Sequence, residues 1–208
     1  MPHIPADQRR EDLVAAAFRV MARDGVAAAS TRAICTEAGV AQSVFHYCFR
    51  SKEELLRDLT RTVVEKMVTA STTAFTPGED LERSLAHIFE NLLRTAMDAP
   101  ERQLVLYELT TTVLRDPKLR DLARWQYDQY YEATGTYLTE LATELDFEWT
   151  LPAPVLARTF TTMIDGLILN WLADHDTDQA HAVLRTFATL LTGLAAVPTL
   201  SGKRPEIA

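Results

Sequence analysis

The stretch that most constrains the fold of this chain is residues 30–56, STRAICTEAGVAQSVFHYCFRSKEELL. Ser30 is a typical helix N-cap, because its hydroxyl can accept a hydrogen bond from a free N–H group of the first turn. The helix that it opens carries Ile34 and Ala38 on one side. Gly39 would then end the helix, because glycine readily adopts the left-handed conformation of a helix C-terminus. The pattern predicts a short helix followed by a tight turn.

A second short helix is predicted at residues 41–47, directly after this turn. Val44 and Phe45 are its expected inward residues, so its polar side chains would face solvent. Ser51-Lys52-Glu53-Glu54 has the form of a capping box, with serine at the cap and glutamate three positions on, and would open a third helix. A helix, a glycine turn and a second helix form the geometry that lays one helix in a DNA major groove. Residues 30–56, the helix-turn-helix segment, therefore predict a DNA-binding surface.

The same segment resembles the N-terminal domain of TetR-family transcriptional regulators. The resemblance covers residues 8–60 and is carried by Ile34, Ala38-Gly39-Val40, Phe45, Phe49 and Ser51-Lys52-Glu53-Glu54-Leu55. It implies an all-α fold, with an N-terminal three-helix helix-turn-helix DNA-binding domain (residues 1–60) and a C-terminal helical ligand-binding and dimerisation domain (residues 61–208). The chain departs from the family pattern at His46, where tyrosine is usual, and at Ala41, where serine is usual. Tyr47 can supply the phenol contact one position later.

The resemblance implies that the second short helix enters the major groove of a palindromic operator. Gln42 can make two hydrogen bonds to adenine, or bind a phosphate, and Ser43 can contact either a base or the backbone. Lys52 stands in the first turn of its helix, where free N–H groups and the helix dipole favour an anion. The expected DNA-binding residues are Thr31, Arg32, Gln42, Ser43, Val44, His46, Tyr47 and Lys52. The alternative for each residue alone is a side chain that only faces water.

The charge distribution gives this interpretation little direct support. The chain of 208 residues has a net charge of −8, which at first argues against an anionic polymer as partner. Residues 1–60 hold eight basic and eight acidic side chains, so the whole excess of acid lies in residues 61–208. An acidic remainder would be repelled from DNA and would help to direct the neutral end towards it. The prediction therefore depends on the geometry of the motif.

Helical periodicity continues through the rest of the chain, without a convincing strand pattern, and apolar residues make up 47% of it. This combination predicts a packed all-helical protein. The expected helices are residues 7–24, 51–73, 81–98, 101–114, 119–145, 155–173 and 178–195, with a break at Thr76-Pro77-Gly78 and a frayed end from Pro198.

The last two predicted helices are apolar on more than one side. A surface helix buries one stripe, so a helix that is apolar over most of its circumference must be covered on a second side as well. A symmetric homodimer, in which this pair packs on its twin as a four-helix bundle, explains the pattern. The alternative is burial of both helices within a larger monomeric core. The expected dimerisation residues are Ile164, Ile168, Trp171, Val183, Phe187, Leu190 and Leu191.

The middle and C-terminal helices mix aromatic with polar residues, as small-molecule sites combine apolar walls with a few polar groups. The resemblance implies that an inducer binds there, and the aromatic residues favour a small, largely apolar effector. The expected ligand-binding residues are Tyr107, Thr111, Trp125, Gln129, Tyr130, Phe160, Met163 and Asn170. The alternative is that the aromatic residues only fill the core. Release from DNA on effector binding is the usual behaviour in the family, so the resemblance implies a repressor.

Other classes of function have little support in the sequence. The five histidines form no HExxH or i,i+4 pair, and residues 174–178, DHDTD, lack the glycine and terminal glutamate of a calcium loop. We therefore expect no catalytic residues, metal or cofactor. With no apolar signal core and no long apolar run, we expect a cytoplasmic protein without a membrane partner. Cys35 and Cys48 are expected to be buried small hydrophobic residues. The remaining alternative is an all-helical protein-interaction adaptor with a degenerate DNA-binding surface.

Overall fold

The computed structural model describes residues 5–71 and 79–196. Its helices in chain order are α1 (Ala6–Asp24), α2 (Thr31–Ala38), α3 (Gln42–Cys48), α4 (Lys52–Ser71), α5 (Leu81–Met97), α6 (Pro100–Arg115), α7 (Arg120–Glu144), α8 (Ala153–Asp174) and α9 (Thr177–Thr192). A short 3-10 helix, Val26–Ala28, follows α1, and the two-residue strands β1 (Glu148–Trp149) and β2 (Ala195–Ala196) pair antiparallel. The expected all-α fold is confirmed.

The expected helices are all present, and the main difference is at the C-terminal end. α9 ends at Thr192 rather than at residue 195, because Ala195 and Ala196 pair with Trp149 and Glu148. Two-residue strands are too short to show a period-2 pattern in sequence. The predicted break at Thr76-Pro77-Gly78 and the predicted fraying from Pro198 lie outside the described residues.

The chain divides into two compact units, each assembled from segments that are distant in sequence. The first unit comprises residues 1–73 and 94–130, and the second comprises residues 74–93 and 131–208. α4 lies wholly in the first unit, whereas α5 and α7 contribute residues to both. The predicted domain boundary between residues 60 and 61 falls inside α4, so it remains a prediction about the division of function.

The first unit has one apolar core to which α1–α4 all contribute, and α6 and α7 complete it. The face of α1 that periodicity predicts to be inward is buried, and so are both cysteines. The helix-turn-helix segment is therefore packed on residues from 105 onwards as well as on its own neighbours. The core includes Leu13, Ala17, Val20 and Met21 of α1, Ile34 and Cys35 of α2, Phe45 and Cys48 of α3, Phe49 between α3 and α4, Leu55 and Leu59 of α4, Leu109 of α6 and Leu122 of α7.

The second unit is built around aromatic contacts between α5, α8 and α9. The rings of Phe89 and Phe160 are stacked with centroids 4.4 Å apart, and the ring of Phe187 lies 6.0 Å from that of Phe89. Tyr137 of α7 donates a hydrogen bond to the carbonyl oxygen of Ser84 at 3.1 Å. Burial raises the pKa of the Tyr137 phenol above its ordinary value. These contacts bring four helices together in this unit.

Candidate nucleic-acid interface

The first helix of the helix-turn-helix segment is fixed locally at both ends. The Ser30 hydroxyl oxygen accepts a hydrogen bond from the N–H of Ala33 at 3.1 Å. Gly39 has φ +67° and ψ 30°, the left-handed conformation that glycine adopts without steric cost. The N–H of Val40 donates to the carbonyl oxygen of Cys35 at 3.0 Å, which satisfies one of the last carbonyls of α2. The predicted start and stop signals of this helix are confirmed.

α3, the second helix of the segment, is anchored by its apolar side. Phe45 and Cys48 are buried, and the Phe45 ring packs on Phe49 with centroids 5.5 Å apart. Val44 is half-buried and packs against the core. The opposite side exposes Gln42, Ser43, His46 and Tyr47 to solvent. Tyr47 is 75% exposed, so its ring and hydroxyl are open to an external partner.

Most polar groups on this surface have no partner among the residues that the structure describes. Within the described part of the chain, the side chains of Arg32, Gln42, Ser43 and Tyr47 form no hydrogen bond or ion pair. Arg32 is exposed near the start of α2, and Thr31 beside it is half-buried. Contacts between these groups and a nucleic acid would replace hydration rather than internal bonds.

The start of α4 has a capping box that differs from the expected form in one bond. The Ser51 hydroxyl oxygen accepts a hydrogen bond from the N–H of Glu54 at 3.3 Å, as expected. The Glu54 carboxylate accepts from the N–H of Arg50 at 2.8 Å, one residue before the expected donor. This bond lowers the pKa of the Glu54 carboxyl below its usual value. Lys52 is half-buried in the first turn of α4, where predicted.

Arg10 of α1 connects the end of α3 to α4. One terminal guanidinium nitrogen donates to the carbonyl oxygen of Cys48, the last residue of α3. The other donates to Glu54 at 3.1 Å and to Asp58 at 2.6 Å. The guanidinium also lies 4.3 Å from the centroid of the Phe49 ring, a cation–π contact. The hydrogen bond to Asp58 raises the pKa of Arg10, so the side chain stays charged while it positions the end of α3.

A second long-range contact joins α6 to the end of α1. The Glu108 carboxylate accepts a hydrogen bond from the N–H of Val26 at 2.7 Å. Gly25, the residue before Val26, has φ +83°. A Cβ added to Gly25 would lie 3.5 Å from a Glu108 carboxylate oxygen. Val26 opens the 3-10 helix that leads to α2. The carboxylate therefore fixes the connection from which the helix-turn-helix segment starts.

Sequence analysis missed both Arg10 and Glu108. The partners of Arg10 are 38 to 48 residues away in sequence, and Val26 is 82 residues from Glu108. No local spacing marks such contacts, so no signal in one sequence could have identified them.

The predicted ligand-binding residues are divided between the two compact units. Tyr107, Trp125, Gln129, Tyr130 and Met163 are half-buried, Phe160 is buried, and Thr111 and Asn170 are exposed. The hydroxyl of Thr111 and the amide of Asn170 each donate to a carbonyl of their own helix. The Trp125 ring has the Arg61 guanidinium 5.7 Å from its centroid. The assignment of these eight residues to a ligand remains a prediction.

The predicted dimerisation residues differ widely in exposure. Ile164, Ile168, Trp171 and Leu191 are buried within the chain, Val183 and Phe187 are half-buried, and Leu190 is 57% exposed. Leu169 on α8 is also exposed. The first four therefore contribute to the core of the second unit, and the outward apolar surface of α8 and α9 includes Leu169 and Leu190.

Two features of the described residues bear on other classes of function. No group of three or more His, Cys, Asp or Glu side chains there is placed to hold a metal ion. None of the helices described is both long and apolar enough to cross a membrane.

An all-helical fold with an exposed, polar second helix in a helix-turn-helix defines the class of helix-turn-helix DNA-binding transcriptional regulators. The family model of bacterial regulatory proteins, tetR family, matches residues 13–59. The model of the tetracyclin repressor-like C-terminal domain matches residues 78–193, which is more than half of the chain. The chain belongs to the TetR family of transcriptional regulators, and the resemblance inferred from residues 30–56 is confirmed.

Individual relatives agree with this assignment. The HTH-type nicotine-responsive transcriptional repressor HdnoR of Paenarthrobacter nicotinovorans is 30% identical over 167 residues, which cover 80% of this chain and 84% of the relative. The crystal structure of the multidrug binding protein EbrR complexed with imidazole has a TM-score of 0.68 and 25% identity, over 97% of this chain and 100% of that one. A Saccharomonospora viridis protein solved in complex with choline shares the fold, with a TM-score of 0.71 and 24% identity over 88% of this chain and 96% of its own.

Proposed function

We propose that this TetR-family regulator is a homodimeric repressor that a small, largely apolar ligand releases from a palindromic operator. The observation that supports its DNA-binding role most directly is the exposed side of α3, where Gln42, Ser43 and Tyr47 have no partner in the described residues. Such a helix can approach base edges without first breaking internal hydrogen bonds. Its proposed site of action is the cytoplasm.

The DNA-contacting residues are proposed to have two roles. Gln42 and Ser43, with half-buried Val44 beside them, would meet base edges and select the sequence. Phosphate contacts would come from Thr31, Arg32, His46, Tyr47 and Lys52, and they would fix the position of the protein on the duplex. Lys52 combines a positive charge with the free N–H groups of the first turn of α4.

Pairing of two protomers through α8 and α9 would supply the second copy of α3 that a palindrome requires. Leu169 and Leu190 are exposed, and Phe187 and Val183 are half-buried. Large apolar side chains on the outside of two neighbouring helices favour contact with another protein surface. A second copy of the same chain is the proposed partner.

Relatives support a response to small organic molecules. HdnoR is nicotine-responsive, EbrR was crystallised with imidazole, and the Saccharomonospora viridis protein was crystallised with choline. All three molecules contain nitrogen and carry apolar carbon. We propose an effector of similar size, with Phe160 among the aromatic residues that it contacts.

A shift assay with the intergenic DNA upstream of the gene tests the proposed function. A regulator should form a complex that is lost as salt rises and that specific but not scrambled DNA competes away, because phosphate contacts release counterions. Absence of any sequence-selective complex at low salt would support the adaptor alternative instead.

A further inference from the structure

The first compact unit contains an open cleft between α1, α4 and α6, with a volume of about 1040 Å³. All residues that line the cleft belong to this unit, and none is among the eight predicted ligand-binding residues. Small-molecule sites usually have volumes of roughly 300–1,000 Å³, so the cleft is large enough for an organic ligand.

Each of the three helices contributes apolar residues to a lining that is otherwise polar and charged. Leu59 and Val63 come from α4, Val14 and Phe18 from α1, and Leu106 from α6. Phe18 is half-buried and the other four are buried. Phe18 would gain further burial against the apolar body of a ligand, while the other four have little surface left to cover.

Gln103 of α6 is the feature that points most directly to a ligand. It lines the cleft and is only 8% exposed. Its side-chain amide makes no hydrogen bond to any residue that the structure describes. The amide is not among the fully buried polar atoms that lack a partner, so water reaches it from the open cleft, and a ligand with a hydrogen-bonding group can replace that water. The amide can both donate and accept.

The lining of the cleft includes three cations on α4 and α6, Arg61 among them, and three carboxylates on α1 that form no ion pair with the described residues, so the side formed by α4 and α6 is the one that favours an anion. Lys66 of α4 and Arg102 of α6 line it, are exposed, and form no ion pair with the described residues. The acidic lining residues without an ion pair all lie in the first two turns of α1, where carboxylates stabilise the helix N-terminus. Two of these acids also accept hydrogen bonds from Gln8. The cations thus lie on the same two helices as Gln103 and Leu59.

We propose that the cleft between α1, α4 and α6 binds an amphipathic organic anion. Its apolar body lies against Phe18, Val63 and Leu106, and its acidic group lies within reach of Gln103 and Arg102. The effect on DNA binding rests on the proposed function of this regulator. α1 and α6 form two sides of the cleft and are joined beyond it by the hydrogen bond from Val26 to Glu108, so an occupant would act on the connection that leads to α2.

Anilinonaphthalene sulfonate, an apolar aromatic anion that fluoresces when removed from water, is the probe for this site. Ala15 is exposed and lines the cleft, so Ala15→Trp places an indole in the space without altering the core. Titration should show one more saturable binding equivalent per chain for the wild type than for Ala15→Trp. Thr112→Trp, exposed on α6 and outside the cleft, is the matched control and should bind like the wild type.

Arg102→Glu tests the anionic character of the ligand with an intact core. It should weaken binding of the probe to the cleft by about tenfold, because a repulsive charge replaces an attractive one. Arg115→Glu on the same helix lies outside the cleft and should have no effect. Equal probe binding by Arg102→Glu and the wild type would overturn the assignment of an anion.

The proposed site would be overturned if the probe bound the wild type and Ala15→Trp with equal stoichiometry and affinity. It would also be overturned if the probe did not bind the wild type. DNA affinity measured without probe tests the proposed function separately. If the site and the function both hold, saturating probe should change the DNA affinity of the wild type and leave that of Ala15→Trp unaltered.

Discussion

Single residues on the helix-turn-helix segment are expected to divide into those that select a sequence and those that bind any duplex. Gln42→Ala should lower the free-energy preference for the operator base over other bases, at about one base pair, by on the order of 1–3 kcal/mol, because two hydrogen bonds to a base edge are lost. Dissociation constants for the operator and a set of singly substituted operators measure this. Gln179→Ala, at an exposed position of α9, is the control. If Gln42→Ala distinguished the operator from its singly substituted forms as well as the wild type does, the proposed contact between Gln42 and a base would be contradicted.

Lys52 is expected to act through charge alone. Lys52→Ala should weaken binding to specific and unrelated DNA alike, and the slope of log K against log salt should become less steep by about one. Binding measured over a series of salt concentrations gives that slope. Arg185→Ala removes an exposed cation of α9, away from the helix-turn-helix segment, and should leave it unchanged. The same slope for Lys52→Ala as for the wild type would refute the phosphate contact.

Among the structural elements, the position of α3 depends on the Arg10 side chain. Arg10→Ala removes charged hydrogen bonds to Cys48, Glu54 and Asp58, and should lower the free energy of unfolding by about 1–2 kcal/mol, since the group is partly solvated. Urea denaturation measures the change. Arg124→Ala breaks only an exposed pair with Asp128 and should cost less than about 0.5 kcal/mol. Equal effects of the two substitutions would argue against this role of Arg10.

The junction of α3 and α4 should also be sensitive to acid. The N–H of Arg50 lowers the pKa of Glu54 in the folded state. A carboxyl with a lowered folded pKa stabilises the protein above its unfolded pKa of about 4.3, and this contribution is lost as pH falls through the folded value. Glu54→Gln should therefore show a shallower fall in urea midpoint on acidification than the wild type. Glu101→Gln, exposed on α6, should keep the wild-type pH dependence.

Local signals made the helices predictable, whereas the contacts between them were not. Ser30, Gly39 and Ser51 act on groups within five residues of themselves, so their roles could be inferred from spacing alone. The Glu54 carboxylate was expected to accept from the N–H of Ser51, and it accepts from the N–H of Arg50 instead. The sequence could not distinguish these two donors, because their N–H groups are neighbours in the chain. Arg10 has partners on other helices, whose positions depend on the folded core.

For the whole molecule, the central expectation is that two protomers pair through α8 and α9. Leu190→Glu places a charge on an exposed apolar position and should shift the protein from dimer to monomer. Operator affinity should fall as well, because two linked copies of α3 bind a palindrome more tightly than one. Analytical ultracentrifugation and operator titration measure the two effects. Leu104 is also exposed but lies on α6, so the Leu104→Glu control should remain a dimer. If Leu190→Glu also remained a dimer, the proposed pairing surface would be contradicted.

The sequence could not show which apolar residues of the last helices are available to another chain. Ile164, Ile168 and Trp171 have the same apolar character as Leu190, yet they are buried within their own chain. Periodicity reports that a side chain is apolar and not whether its own core or a twin covers it. The outward side of α3 was easier to predict, because polar residues on a short helix that packs by its other side face solvent without any further partner.

The hydrogen bond between Glu108 and Val26 limits how this regulator can be re-engineered. A chimera spliced at residue 60, with its first part grafted onto the body of another regulator, would separate Val26 from its carboxylate acceptor. Such a graft would retain every side chain that is proposed to contact bases and would still misplace the helix that carries them. A splice that transplants residues 94–130 together with the N-terminal helices would preserve the bond.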